Sequence, residues 1–184
     1  MLAEAFHDLH GSRLHGFALL VTLGDARRAE LAAGEALAAG SEQASALRHP
    51  ERAAAWLRAR ALRALGHGGR NPTMSEAARR AALASLGVDA AAYEGLAALS
   101  IEARAALVAS GIERFETIDV ETILGAGPSR TRRTIGEARA GYLAVVSKLP
   151  GGQSGSPAAY PTGQVATRVQ SVAARAMTAE AASQ

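Results

Sequence analysis

The sequence predicts an all-α fold, with two small helical domains, the second a helix-turn-helix, and a flexible C-terminal tail. Three observations carry that expectation. Of 184 residues, 45 are alanine and 20 leucine, both strong helix formers, whereas the residues that strands prefer are sparse: nine Val, five Ile, three Phe, three Tyr and one Trp. Only 44 apolar side chains are larger than alanine, enough for one or two small cores and too few for a large enzyme. Breaks rich in glycine or proline divide the chain into segments of helical length.

The first domain is expected over residues 1–70. Phe6 and Leu9 share one helical stripe, and Leu14, Phe17 and Val21 form another beyond a soft joint at Gly11-Ser12. Asp25, after Gly24, is a suitable N-cap for a helix from Ala26 to about Ala39, closed by Gly40-Ser41. His49-Pro50 opens a third helix, since proline suits a first turn and disfavours helix in the residue before it. That helix runs from Glu51 to Leu65 and stops at Gly66-His67-Gly68-Gly69.

Residues 71–90 read as a linker containing some helix, about Ser75 to Leu86. The second domain is expected over residues 91–148. Leu96 and Leu99 close one helix, and Ser100 caps the next, with Glu102 in its first turn and Leu107 and Val108 on its apolar face. A short helix from Thr117 to Leu124 follows, then the break Gly125-Ala126-Gly127-Pro128, then a longer helix opened by Ser129 with Ile135, Ala138, Tyr142 and Val145 inward. Short helix, glycine turn and long helix make a helix-turn-helix pattern. Residues 149–184 begin with a Gly/Pro/Ser-rich linker and end in a short helix whose stripe is Val165, Val169, Val172 and Ala176.

Zero cysteines exclude disulfides, thiolate nucleophiles and cysteine metal sites. The start is acidic, without a basic leader region, and no eighteen apolar residues run together, so a soluble cytoplasmic protein with no membrane partner is expected. Net charge is +3, and arginine supplies 19 of the 20 basic residues. A GC-rich genome would also give that bias, so the positions of the arginines matter more than their number.

Arg130, Arg132 and Arg133 fall in the first turns of the long helix, where cations oppose the helix dipole and an anionic partner would compensate them. The same turns of a recognition helix meet the DNA major groove; the alternative is a solvated basic surface. On the helix from Glu51 to Leu65, Arg52, Trp56, Arg60 and Arg63 form one ridge. Trp56 is expected to pack into the core beneath arginine stems. Glu4 and His7 have the Glu-x-x-His spacing of di-iron bundles, but His49 and His67 are preceded at i−3 by alanine, so the second motif is missing. The histidines are expected at surfaces and boundaries, with no metal and no cofactor. No catalytic constellation is identifiable by spacing, so the chain is not expected to be an enzyme.

Over residues 5–146 the order of these features resembles the extracytoplasmic-function type of bacterial RNA polymerase sigma factor. Leu23-Gly24-Asp25-Ala26-Arg27-Arg28-Ala29-Glu30 follows that family's Thr-Gly-Asp-x-x-x-Ala-Glu, and Glu35 and Leu37 match its next stretch. Pro50, Trp56-Leu57 and Ala61 are similar to its Pro…Trp-Leu-x-x-Ile-Ala. Leu99-Ser100, Arg104 and Leu107 fit its Leu-Pro-x-x-x-Arg-x-x-Leu, with the helix-turn-helix at the expected distance. The resemblance implies that Glu30, Glu35 and Leu37 bind core RNA polymerase. It further implies that Arg63 and Arg70 lie near promoter DNA, and that Arg130, Arg132 and Arg133 lie in the recognition helix. An anti-sigma factor is a further partner that the family suggests. Leu31, Gly34, Glu121 and Glu137 depart from the family pattern. They motivate a second expectation, a helical adaptor that acts through protein contacts and does not recognise promoters.

Overall fold

The computed structural model describes residues 2–43, 49–67 and 72–149. Within them the chain forms eight α-helices and no strand, so the all-α expectation holds. The expected tail helix and Arg70 lie outside the described residues.

Helix α1 spans Leu2–Val21 without interruption. Gly11-Ser12 does not break it, because burial of Leu14, Phe17, Ala18 and Val21 on the following turns stabilises helix through the joint. It ends in a tight turn in which Leu23 and Gly24 both have positive φ, 57° and 82°. The Gly24 amide donates to Leu19 O at 2.8 Å and the Leu23 amide to Leu20 O at 3.2 Å, satisfying carbonyls that the helix end leaves free. A Cβ at Gly24 would stand 2.1 Å from the carbonyl oxygen of Arg79, so only glycine lets this turn touch the later chain.

Helix α2, Ala26–Glu42, starts where predicted, with Asp25 accepting from the Arg28 amide. It buries an alanine face, Ala29, Ala32, Ala33 and Ala36, that permits close approach of α1 and of α3, Pro50–His67. Trp56 of α3 is half-buried against the core as expected, whereas Arg58 is buried. His10 is also buried, which corrects its expected placement at a surface or boundary, whereas the half-buried His15 stands at a boundary as expected. The side chains of Glu4 and His7 are outside those described, and among the described residues no cluster could hold a metal ion.

The segment expected as a linker contains α4, Glu76–Ser85, capped by Ser75, and its Leu83 is fully buried. Thr73, just before it, is held by Asp25: the Thr73 amide and hydroxyl each donate to the carboxylate at 2.6 Å. Helix α5, Ala90–Ala97, is capped by Asp89, and α6, Ile101–Leu107, by Ser100. A π-helical turn, Val108–Ile112, extends α6. Helices α7, Thr117–Leu124, and α8, Pro128–Val146, complete the described chain.

One hydrophobic cluster runs from Leu14 to Tyr142 and draws on both expected domains. Helix α7 packs on α3, and α6 packs on α1. Two buried arginines explain that union. Arg58 of α3 pairs with Glu113 and lies over the rings of Phe17, at 5.6 Å, and Phe115, at 4.9 Å. Arg104 of α6 donates to the carbonyls of Val21 at 2.8 Å, Leu96 at 3.2 Å and Leu99 at 3.1 Å, tying the ends of α1 and α5 together. Burial first, then the neighbouring Arg79, pushes the Arg104 pKa down to about 10, so it remains charged at neutral pH.

Candidate nucleic-acid interface

The joint between α7 and α8 is built by its backbone. Gly125 adopts the left-handed conformation, φ 61° and ψ 37°. Its amide donates to Thr122 O at 3.3 Å and the Ala126 amide donates to Glu121 O at 3.1 Å, a Schellman pair that closes α7. Gly127 then stands at the N-cap of α8 and Pro128 opens the helix, one residue ahead of the predicted Ser129. Thr131 is fully buried in the angle, and its hydroxyl donates back to Ala126 O at 3.4 Å. Ala138 and Tyr142 are buried below it and anchor α8 to the core.

With Thr131 turned inward, Arg130, Arg132 and Arg133 face solvent at the front of α8. Arg130 donates to Glu102 of α6 at 3.0 Å, and its side chain is still 62% exposed. Arg133 lies 4.0 Å from Glu137, both side chains being more than 70% exposed. Arg132 makes no ion pair among the described residues. Exposed pairs of this kind contribute about 0–1 kcal/mol, so an incoming phosphate, also favoured by the positive end of the helix dipole, can displace them.

The remaining predicted residues among those described lie on α2 and α3. Arg63 is exposed on α3, where its Nε donates to Ala59 O at 3.3 Å. Helix α3 packs on α2, α7 and α1, and α7 packs in turn on α8. Glu30 and Glu35 are exposed on α2, whereas Leu37 is buried. Leu37 is therefore corrected from a partner contact to a core residue, since it is buried within the same hydrophobic cluster as the alanine face. The exposed apolar residue of that helix is Leu31, 75% accessible, beside Glu30 and Glu35.

Sequence reasoning missed the cleft beside the front. It encloses about 340 Å³ between the π-helical turn, the start of α7 and α8, with Arg132 and Arg139 among its lining residues. The signal was the spacing Arg132-Gly136-Arg139, which puts two cations and a gap on one helix face. Among the described residues, no helix is long and apolar enough to cross a membrane. Comparison with known protein families, curated proteins and solved structures finds no match.

Proposed function

We propose that this chain is a sigma-factor-like protein that binds core RNA polymerase and promoter DNA to direct transcription initiation, acting in the cytoplasm and without catalysis of its own. The observation that carries the reading is the front of α8. Three arginines project from the first turns of a helix that is positioned by a glycine turn, a buried threonine and two buried anchors. A helix held that firmly can present guanidinium groups to phosphates and base edges with little loss of side-chain framework entropy on binding. The exposed Glu30, Leu31 and Glu35 offer α2 as the surface for the polymerase.

Purified protein should co-elute with bacterial core RNA polymerase and permit specific initiation from at least one promoter of its own genome. Failure to associate at any salt concentration removes the reading. The second reading, an adaptor working through protein contacts alone, is favoured by Glu102 and Glu137, which stand against Arg130 and Arg133. Association with polymerase in the absence of any DNA affinity selects it.

A further inference from the structure

The cleft beside α8 has the composition of a small-anion site. The half-buried Phe115 and Ile135 supply the apolar part of its lining, while Arg132 and Arg139 supply two cations. No carboxylate lines it. Elsewhere the described arginines often meet an acid: Arg58 meets Glu113, Arg80 meets Glu76 and Glu94, and Arg130 meets Glu102. Arg132 and Arg139 make no such pair among the described residues.

Gly136 opens the space between them. Residues 132, 136 and 139 share one face of α8, and the two arginines are about 10 Å apart along the axis. Their long side chains can close on a group lying between them. Gly136 is exposed and a Cβ there would meet nothing within 4 Å, so the face between the two arginines is open to an incoming group. Helical glycine costs roughly 1 kcal/mol relative to alanine and has no conformational purpose here, since the position is ordinary helix. The volume falls at the small end of ligand sites, which span roughly 300–1,000 Å³.

We infer that this cleft binds a small phosphomonoester with a flat apolar body, its phosphate held by Arg132 and Arg139 and its body laid against Phe115 and Ile135. A phosphomonoester carries close to two negative charges at neutral pH, matching two guanidinium groups that bind phosphate through paired N–H donors. The inference does not depend on DNA binding, although Arg132 also belongs to the α8 front. Its test therefore reads a small ligand alone.

The probe is phenyl phosphate, compared with inorganic phosphate and phenol, with the arginine Nε–H resonances of the full chain followed by NMR. Phenyl phosphate should shift Arg132 and Arg139 in the millimolar range, inorganic phosphate should need roughly tenfold more, and phenol should leave them unmoved. Gly136→Leu fills the gap with a better helix former and should abolish the response while circular dichroism keeps its helical signal. If that variant loses helix, Arg132→Gln/Arg139→Gln, at two exposed positions, should abolish binding of phenyl phosphate instead. Absence of shifts at tens of millimolar phenyl phosphate overturns the inference, as does equal binding of inorganic phosphate. An unchanged response in a folded Gly136→Leu variant, or in the double arginine variant, overturns it as well.

Discussion

Glu113→Gln removes the charge that answers Arg58 and should destabilise the whole molecule, because the guanidinium is left inside the joint between α3 and the later helices. The Arg58 side chain is 3% exposed and that of Glu113 is 17%. Breaking a fully buried pair costs about 3–5 kcal/mol, and partial access of water to Glu113 puts this case at the lower end, about 3 kcal/mol. Arg58 retains its bond to Ala54 O, 3.0 Å, and its two aromatic neighbours, which limits the loss further. With a urea m-value of about 2 kcal/mol per molar, the midpoint should fall by about 1.5 M. Replacing both partners, as Arg58→Met/Glu113→Leu, should recover most of that stability, since two buried charges are exchanged for apolar atoms beside Phe17 and Phe115. Because one core spans the described residues, unfolding followed by circular dichroism and by Trp56 fluorescence should coincide. A midpoint shift under about 0.3 M for Glu113→Gln, or separate transitions for the two probes, would refute the reasoning.

Gly95→Ala should cost about 1–3 kcal/mol despite the better helix propensity of alanine, since its Cβ would lie 2.6 Å from the Tyr142 ring; thermal melting checks it. Burial alone would raise the Asp25 carboxyl, but the Thr73 hydroxyl and amide, the Arg28 amide and the Arg28 charge outweigh it and hold the pKa below its ordinary value. Asp25 thus stabilises the fold above the ordinary aspartate range and loses that contribution as pH falls through its lower folded value. Thr73→Val should remove about 1.5–3 kcal/mol near pH 7 and progressively less toward pH 2, measured by urea titration at each pH. Burial, then Arg58 and Arg13, lowers the His10 pKa. The unfolded chain therefore binds this proton first, and stability should fall as pH drops below about 6.5, with His10→Gln flattening that part of the profile.

Local chemistry was legible in the sequence at several positions where a side chain acts on its own backbone. Asp25 and Ser100 cap the helices they precede, as expected, and Gly125 closes α7 at the expected break, whereas the caps Ser75 and Asp89 were not singled out. The front of α8 was legible because Arg130, Arg132 and Arg133 fall within the first six residues of the helix, leaving only the buried residue between them, Thr131, to be assigned. What sequence reasoning lost is carried by contacts between distant residues. Arg58 and Glu113 are 55 positions apart, and Asp25 and Thr73 are 48 apart. Neither pairing has a periodicity to betray it, so the two expected domains merge into one core that no local rule foresaw. Leu37 was assigned to a partner surface through the family resemblance, and it is buried, whereas Leu31 on the same helix is exposed.

The central claim is that the α8 front neutralises phosphates, and the salt dependence of duplex DNA affinity measures it directly. Each phosphate neutralised contributes about −0.9 to the slope of log affinity against log salt. Engagement of Arg130, Arg132 and Arg133 predicts a slope of about −2.7, and the triple alanine variant, changed only at exposed positions, should bring it close to zero while remaining folded. A flat slope for the unaltered protein, or a triple variant that binds with undiminished affinity and slope, would contradict the account.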